Sequence, residues 1–271
     1  MKKGAFLLMA LLLGGLFILP ACTPQSRKKE IYLQLYSVRD DIKADYKGTV
    51  AKVAEMGYTG VEAAGYGDGR FYGLSPAEFK ESIEEVGMEV LSSHTARPLA
   101  DSVAATNWDE VWAWWDTAIQ AHKEAGMKYI VNPWMPTPAT LADLQAYCEY
   151  YNQIGEKCNA AGIRFGYHNH DFEFKEIEGQ LMYDYMLNNT DPSKVFFQMD
   201  VYWVVKGGKN PVDYFNKYPG RFELLHIKDE LELGRSGEVD FGSIYDNAET
   251  AGAKYMIVEV ERYTQGLSPF E

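Results

Sequence analysis

Cysteine is scarce in this sequence, which has only Cys22, Cys148 and Cys158 among its 271 residues. Cys148 and Cys158 lie on one predicted helix, and their spacing places them about 15 Å apart along its axis. A disulfide requires α-carbons within about 7 Å, so these two cannot pair within an intact helix. The lack of grouped thiolate ligands also argues against a closed structural zinc site. The cysteines therefore predict neither a disulfide framework nor a structural metal.

Basic residues are also few relative to acidic ones. The chain has 26 lysines and arginines against 39 aspartates and glutamates, which gives a net charge of −13. Phosphate backbones are bound by clustered lysine and arginine. We therefore expect no nucleic-acid partner.

The N-terminus carries an apolar run, but that run is too short to span a bilayer comfortably. It covers residues 5–19 and follows Lys2 and Lys3. A short charged start, an apolar run and small residues are typical of a signal peptide. We predict that residues 1–21 are such a peptide and are removed on export.

The end of this segment, Leu19-Pro20-Ala21-Cys22, resembles the lipobox of bacterial lipoproteins. The resemblance implies that Cys22 is acylated and that residues 22–30 form a tether. It also implies a protein anchored to a membrane of the cell envelope, in the periplasm or at the outer membrane. The alternative is an ordinary signal peptide with a chance cysteine. Removing Lys2 and Lys3 makes the net charge of the remaining chain more negative by two than the −13 of the whole.

Residues 31–271 are long enough for one domain with a large core. Short apolar runs alternate with longer amphipathic ones, and this alternation predicts a parallel (β/α) barrel of eight strands. The predicted strands are Ile31–Tyr36, Gly60–Ala64, Glu89–Ser93, Tyr129–Asn132, Arg164–His168, Val195–Asp200, Glu223–Ile227 and Tyr255–Val260.

The segments between the strands are predicted to be helices. Several of them end at a glycine just before the next strand, as at Gly162 and Gly252. The predicted helices are Ile42–Met56, Pro76–Val86, Trp108–Ala125, Leu141–Ala161, Met182–Asn188, Pro211–Tyr218 and Ser243–Ala251. The eighth helix of a complete barrel is absent or truncated, because the sequence stops soon after the eighth strand. Four tryptophans in the helix that begins at Trp108 indicate packing or contact with a neighbouring subunit, so a homo-oligomer is possible.

Ionisable side chains collect at the carboxyl ends of the predicted strands, which is where barrels of this kind carry their active sites. Four of the five histidines lie there, and only His122 does not. Carboxylates and imidazoles that converge at one face suit one divalent cation, such as Mn²⁺, Mg²⁺, Co²⁺ or Zn²⁺. The alternative is that the strand-end carboxylates pair with arginine or lysine. The strand-end residues include His94, His168, His170, Glu173, Asp200, His226, Lys228 and Glu259.

Several segments resemble the sugar phosphate isomerase/epimerase family of xylose isomerase-like TIM barrels, whose relatives include ketose 3-epimerases and inosose dehydratase. The most specific segments run from strands five and seven into the loops after them, namely Tyr167-His168-Asn169-His170-Asp171-Phe172-Glu173-Phe174 and Leu225-His226-Ile227-Lys228-Asp229. Leu33 to Arg39 and Met199 to Trp203 also match. The resemblance implies one divalent metal held by Glu173, Asp200, His226 and Glu259. Glu176 is an alternative to Glu173, and Glu261 lies close to Glu259.

The resemblance implies a metal-dependent sugar isomerase or epimerase that acts on a keto sugar by proton transfer through a metal-bound enediolate. Glu173 and Glu259 would remove and return the proton. One alternative is a metal-dependent lyase, hydrolase or dehydratase of 3-keto glycosides or keto-inositols. Another is a non-catalytic sugar-binding lipoprotein on the cell surface.

The remaining strand-end groups are predicted to contact the substrate. They are His94, His168, His170, Trp203 and Lys228. For the three histidines, the alternative is a structural role. Lys228 either stabilises an enediolate oxygen or forms an ion pair with Asp229 or Asp200. Because the protein is predicted to be exported and shows no arginine-rich phosphate cradle, we expect the sugar to be unphosphorylated.

Overall fold

A computed structural model of the chain describes residues 30–100 and 103–270. The predictions for the signal peptide, for Cys22 and for residues 23–29 of the tether lie outside the described residues. Within the described part of the chain, no helix combines the length and the apolar character needed to cross a membrane.

Eight parallel strands close into a barrel in chain order, as predicted, with β8 pairing back to β1. The strands are β1 Tyr32–Gln34, β2 Gly60–Ala63, β3 Glu89–His94, β4 Tyr129–Asn132, β5 Arg164–His168, β6 Val195–Asp200, β7 Leu224–Lys228 and β8 Tyr255–Glu259. Each agrees with its predicted run to within two residues at either end. The strong agreement arises because these runs are short, apolar and bounded by helix-ending glycines.

Ten helices surround the barrel in the described residues. They are α1 Arg39–Ala44, α2 Tyr46–Glu55, α3 Pro76–Glu84, α4 Trp108–Glu124, α5 Leu141–Ala161, α6 Met182–Asn189, α7 Val201–Lys206, α8 Pro211–Lys217, α9 Phe241–Asp246 and α10 Ala248–Ala251. The glycines that end α5 and α10, Gly162 and Gly252, have φ of 83° and 84°, a left-handed conformation that favours glycine.

Two predicted helices are each divided in two, and one helix was not predicted. The prediction of a continuous helix over Ile42–Met56 is wrong, because Asp45 is extended and its side chain caps α2 by accepting from Gly48 N. The predicted helix Ser243–Ala251 is likewise interrupted at Asn247. The unpredicted α7 follows β6 without a loop, and its β-branched and aromatic residues do not mark it as helical.

Side chains inside the barrel form layers along its axis. Near the amino ends of the strands an apolar layer fills the interior, formed by Tyr32, Leu91, Tyr129, Val131, Phe196, Leu224 and Ile257. Two residues further along several strands the interior becomes polar, with buried Gln34, Gln198 and His226. Because alternate residues of a strand face the same side, the barrel carries its ionisable groups on top of an apolar plug.

The tryptophan-rich helix α4 packs on α5. Trp115 is fully buried and donates its Nε1 hydrogen to Tyr150 Oη at 2.6 Å. Trp108 and Trp112 stack on each other and lie against the same tyrosine. Packing within the chain therefore accounts for these three rings, and contact with a second subunit stays a prediction.

The segment after β8 contains no helix within residues 260–270. It is held against the start of the barrel instead. Tyr263 donates to Ser37 O at 2.9 Å, and Arg39 donates to Glu261 O at 3.0 Å. These bonds keep the loop after β8 close to the loop after β1, at the carboxyl ends of the strands.

Candidate active site and metal centre

The register of the parallel strands brings five predicted site residues together at the carboxyl ends of β5 to β8. Asp200 at the end of β6 pairs with His226 in β7, and Lys228 at the end of β7 pairs with Glu259 at the end of β8. His168, the last residue of β5, pairs with Gln198, two residues before Asp200. Since residues two apart on a strand face the same side, these side chains all enter the top of the barrel interior.

Four of these side chains form one buried cluster. His168, Asp200, His226 and Glu259 each offer a nitrogen or oxygen atom, and these atoms lie within 4.8 Å of one another. His94, His168 and His226 form a second, overlapping group of the same kind. Three of the four predicted ligands, Asp200, His226 and Glu259, are thus together, and the fourth member of the cluster is His168.

Asp200 presents one free oxygen to the cluster. Its Oδ1 accepts from Trp203 N at 3.0 Å and so caps α7, while Oδ2 is buried and has no hydrogen-bond partner. Asn169 clamps the backbone of Asp200 through both its amide atoms. Burial raises the pKa of Asp200 to about 6 despite the nearby charge of Lys228. A buried carboxylate oxygen without a hydrogen-bond partner is rare in folded proteins and is suited to bind an ion or a water molecule.

His226 lies between two carboxylates. Its Nε2 is 2.6 Å from Glu62 Oε1, and its Nδ1 is 3.0 Å from Glu259 Oε2. Burial disfavours the charged imidazole, but the two carboxylates outweigh that effect and raise the pKa of His226 to about 10. Burial alone would raise the pKa of Glu259, but the neighbouring His226 and Lys228 outweigh burial and lower that pKa to about 2.

Glu62 is a functional candidate that the sequence analysis missed. It is fully buried in β2, and its carboxylate accepts from Gln34 Nε2 at 2.8 Å, Ser92 Oγ at 2.6 Å and Gln198 Nε2 at 2.8 Å. Burial would raise the pKa of Glu62, but His94 and His226 hold it well below its usual range. The signal in the sequence is a lone charge inside an otherwise apolar strand, two residues before the strand's predicted end at Ala64.

His94 and His168 are tied to the same network through Gln198. His94 Nε2 lies 2.8 Å from Gln198 Oε1 and 3.1 Å from Glu62 Oε1, and His168 Nδ1 lies 3.0 Å from Gln198 Oε1. Burial and the neighbouring charges of His226 and His94 keep the pKa of His168 well below its usual range. His168 is therefore a neutral imidazole, whose Nε2 is 3.8 Å from Asp200 Oδ2.

Glu173, the predicted strand-five ligand, is not among the donor atoms of the cluster. It lies in the turn of 3₁₀ helix at Phe172–Phe174, where its carboxylate accepts from Tyr167 Oη at 2.6 Å and from His170 N at 2.8 Å. Burial raises the pKa of Glu173 to about 8 even though these bonds favour the ionised form. The alternative residue Glu176 is exposed in a short hairpin strand. A ligand role for Glu173 stays a prediction.

A cavity of about 600 Å³ lies above the cluster, at the carboxyl ends of the strands. The candidate substrate residues His94, His168, His170 and Lys228 line it, together with Glu259 and Glu261. Lys228 Nζ lies 2.7 Å from Glu261 Oε2 and 3.5 Å from Glu259 Oε2, rather than pairing with Asp229. Burial lowers the pKa of Lys228, but Asp200 and Glu259 outweigh this and keep the amine charged.

His170 and Trp203 stand beside each other, with ring centroids 5.6 Å apart. His170 Nδ1 and Trp203 Nε1 are both buried without a hydrogen-bond partner. Burial and the charge of Lys228 lower the pKa of His170 to about 4, so its ring is neutral at pH 7. The Lys228 ammonium sits 5.1 Å from the centre of the Trp203 ring, a cation–π contact. Together with Asp200 Oδ2, these atoms concentrate unsatisfied polar groups around one site.

The cluster meets the requirements of a divalent-metal centre. Donors that share one ion at about 2.0–2.3 Å lie at most about 4.6 Å apart, close to the span observed. Two imidazoles and two carboxylates form the mixed nitrogen and oxygen set that Mn²⁺, Co²⁺ and Zn²⁺ accept. The free Oδ2 of Asp200 points to a missing partner, and Glu62 supplies the outer carboxylate that commonly orients a ligating histidine.

The sequence comparison decides the family. Residues 50–270 match the family described as a xylose isomerase-like TIM barrel. The chain belongs to this family. Like the fold, the position of the cluster at the carboxyl ends of the strands agrees with membership of the xylose isomerase-like TIM barrels.

Two solved xylose isomerase-like barrels are especially similar. One, a sugar phosphate isomerase/epimerase from Parabacteroides distasonis ATCC 8503, is 36% identical, with 89% of this chain and 93% of the other covered and a TM-score of 0.82. A second protein of that description from the same organism is 32% identical, with 92% of each chain covered and a TM-score of 0.85.

A curated relative bears a different name. The inosose dehydratase of Geobacillus kaustophilus (strain HTA426) is 22% identical over 212 residues, which amount to 71% of this chain and 66% of the relative. The chain thus matches slightly less than two thirds of that relative's length. The relatives of this xylose isomerase-like barrel therefore include both isomerases or epimerases and dehydratases.

The charges around the cavity do not suit a phosphate group. Among its described lining residues, Lys228 is the single lysine or arginine, whereas Asp171, Glu259 and Glu261 are acidic. Phosphate recognition normally uses arginine forks, several lysines or helix N-termini. This xylose isomerase-like barrel thus offers a cavity with polar hydrogen-bonding groups but little to bind a dianion.

Proposed function

We propose that this protein is a divalent-metal-dependent isomerase or epimerase of an unphosphorylated keto sugar, working by proton transfer at the carbon next to the carbonyl. The observation that carries the proposal is the buried cluster of His168, Asp200, His226 and Glu259 beneath a polar cavity. Asp200 Oδ2, with no partner in that cluster, supports a bound cation in particular.

The residues that would hold the cation are His168, Asp200, Glu259 and His226 through Nδ1, and cation binding would release the Nδ1 proton of His226. When bound there, a divalent cation acts as a Lewis acid that stabilises negative charge on the substrate oxygens. Glu62 holds His226 from the opposite side through Nε2, which leaves Nδ1 directed at Glu259. Gln198 does the same for His168, because it contacts Nδ1 and leaves Nε2 directed at Asp200.

Two groups at the cavity are placed to move protons. Glu259 lines the cavity and is ionised, so it can accept a proton from a substrate carbon above the cluster. His170 is neutral, lines the cavity and has a free Nδ1, so it can take up the proton of a substrate hydroxyl, while Glu259 returns the proton that it removed to the neighbouring carbon. Glu173, the other predicted proton carrier, does not line the cavity, and its bonds fix the turn that presents His170.

Lys228 would stabilise the enediolate oxygen. Its ammonium is buried, charged and within the cavity lining, and it is held by Glu261 and the Trp203 ring. A fixed positive charge in a water-poor site stabilises a developing oxyanion strongly.

We further propose that the protein acts in the cell envelope, tethered through a lipid on Cys22. Free sugars, rather than sugar phosphates, suit both that location and the acidic cavity. In that case the substrate of this protein would differ from the sugar phosphate in the name of the Parabacteroides relatives, while the type of reaction in that name would apply.

Exchange of a substrate hydrogen with solvent tests the proposed function. Metal-stripped protein is reloaded with Mn²⁺ and incubated in D₂O with a panel of free ketoses and 3-keto glycosides, and deuterium is located by NMR. The proposal expects exchange at a carbon next to the carbonyl, lost when the metal is removed and lost in Asp200→Ala. Undiminished exchange by metal-free protein, or activity that requires a phosphorylated sugar, would contradict it.

Dehydration is a second candidate, favoured by the inosose dehydratases among the curated relatives. It begins with the same proton removal, after which the hydroxyl on the next carbon leaves as water, so one catalytic site serves either outcome. The two are distinguished in the same experiment, because dehydration yields an α,β-unsaturated ketone with ultraviolet absorbance. Isomerisation or epimerisation yields a rearranged sugar that carries deuterium and lacks this absorbance.

A further inference from the structure

Burial changes steeply from the floor of the cavity to its mouth. His168, Lys228 and Glu259, which line the floor, are 2%, 2% and 5% exposed. Tyr36 and Trp134, which line the same cavity, are 41% and 46% exposed. The lining therefore divides into a charged inner part beside the cluster and an aromatic outer part open to solvent.

Both exposed rings belong to segments with a fixed backbone. Tyr36 N donates to Gln34 Oε1 at 3.0 Å, and the Arg39 guanidinium lies 4.3 Å from the centre of the Tyr36 ring. Asn132 Nδ2 donates to Trp134 O at 2.6 Å, directly after β4. The backbones are anchored, and both rings keep over 40% of their surface exposed, although Arg39 covers one face of Tyr36. Each ring therefore leaves surface free for stacking, as a residue packed in the core does not.

The cavity is larger than one sugar ring requires. A hexose has 12 non-hydrogen atoms and occupies on the order of 200 Å³ at the packing density of organic solids. The cavity measures about 600 Å³, so a single ring placed on the cluster leaves space that reaches the aromatic mouth.

We propose that Tyr36 and Trp134 form a second subsite, which stacks on a second ring linked to the reacting sugar through a glycosidic oxygen. The position of the first ring rests on the proposed function, whereas the second subsite rests on the exposed rings and the volume of the cavity. Aromatic faces bind the C–H faces of sugar rings and aryl groups without needing charge. The substrate class is thus a glycoside with an uncharged second ring, since Asp171 at the same lining would repel an anionic one.

Binding measurements on Mn²⁺-loaded protein test the subsite. The probes are the phenyl and methyl α- and β-D-glucopyranosides and galactopyranosides, with cellobiose and maltose, each titrated by calorimetry. Wild type is compared with Trp134→Ala and Tyr36→Ala. Tyr245→Ala is the matched control, because Tyr245 is a 65% exposed aromatic residue on α9 that does not line the cavity.

The proposal expects at least one phenyl glycoside or disaccharide to bind roughly tenfold or more tightly than the corresponding methyl glycoside, a difference within reach of stacking interactions. Trp134→Ala should abolish that preference and Tyr36→Ala should reduce it, with Mn²⁺ affinity and thermal unfolding unchanged. The control should behave like wild type.

Equal binding of phenyl and methyl glycosides throughout the panel, or a preference that survives both substitutions, would overturn the subsite. Failure of the proposed function has a different signature, because deuterium exchange would then be absent while the ring preference remained. If the subsite alone is wrong, exchange continues on free ketoses, and Trp134→Ala exchanges 3-keto glycosides as fast as wild type does.

Discussion

Glu62 is a buried side chain placed to determine the geometry of the candidate metal centre without being one of its proposed ligands. Its carboxylate contacts His226 Nε2 and holds the ring with Nδ1 toward Glu259. A ligating histidine commonly depends on such an outer carboxylate, which fixes the tautomer and raises the basicity of the ligand.

We expect Glu62→Gln to weaken Mn²⁺ binding by about 10- to 100-fold, because the amide lacks the charge that orients His226. Calorimetric titration of the metal-free protein measures this effect. Glu89→Gln is the control, since Glu89 begins β3 at the opposite end of the barrel and contacts Tyr32 and Lys128. Equal Mn²⁺ affinity in wild type and Glu62→Gln, with both folded, would refute the role assigned to Glu62.

The identity of the fourth ligand is a second question at the scale of single residues. His168 Nε2 lies in the cluster, whereas the Glu173 carboxylate is engaged by Tyr167 and by the backbone of His170. We expect His168→Ala to lose Mn²⁺ binding by 100-fold or more and Glu173→Gln to retain it within a few-fold. The reverse order of the two affinities would establish Glu173 as the ligand, as the family resemblance implied.

The sequence and the family resemblance together predicted three of the four members of the cluster, but not His168. Asp200, His226 and Glu259 were predictable because the carboxyl ends of parallel strands meet at one face. The choice between His168 and Glu173 was not, since it depends on the 3₁₀ turn that directs Glu173 at Tyr167. Glu62 was missed because strand periodicity alone does not show which buried charge has partners.

At the scale of elements, helix α4 contributes a buried histidine to the packing beside β3. His122 is fully buried, with Nδ1 2.6 Å from Ala118 O and Nε2 2.9 Å from Thr95 Oγ1. Tyr66 and Phe71 of the short hairpin after β2 pack against its ring. Burial lowers the pKa of His122 from 6.5 to about 4.

This shift makes the packing of α4 sensitive to acid. The unfolded chain takes up a proton on His122 near pH 6.5, whereas the folded chain resists until about pH 4, so the stabilisation is complete above pH 6.5 and disappears between these values. We expect wild type to lose about 3 kcal/mol more unfolding free energy than His122→Asn between pH 7 and pH 4. Urea unfolding at a series of pH values measures the difference.

Asparagine is the matched variant because its amide retains a donor for Ala118 O and does not titrate. Carboxylates that protonate over the same pH range are present in both proteins, so their contribution cancels when the two stability curves are compared. Parallel stability curves for wild type and His122→Asn would contradict the assignment.

The elements themselves were predicted unevenly. Strand boundaries were accurate because each barrel strand is a short apolar run with a helix-ending glycine before it or a polar segment after it. The helices were less accurate, since the break at Asp45 depends on its side chain turning back to Gly48 N. Helix α7 begins directly at Asp200, so nothing in the sequence separates it from β6.

For the whole molecule, the closed barrel combines a dry lower layer with a charged upper one. The plug around Tyr129 and Phe196 separates the cluster from the amino-terminal end of the barrel. The loops after the strands form a cavity in which acidic residues outnumber basic ones. The chain as a whole is also acidic, with a net charge of −13. An acidic protein with such a cavity suits neutral sugars better than phosphorylated ones.

The proposed attachment to the envelope is tested by Cys22→Ser. We expect the wild-type protein to fractionate with membranes and the variant to move to the soluble fraction, because the acyl chains would be lost. Mass spectrometry of the mature N-terminus checks the modification directly. A soluble wild-type protein with an unmodified Cys22 would exclude the lipid anchor.

The central claim is that the cluster at the top of the barrel binds one divalent cation, and metal stoichiometry tests it most directly. Metal-stripped wild type and Asp200→Ala are dialysed against Mn²⁺, and bound manganese is measured per chain. We expect one manganese ion per chain in wild type and none at the same free Mn²⁺ concentration in Asp200→Ala, with the variant still folded. Equal manganese in the two proteins, or none in either, would contradict it.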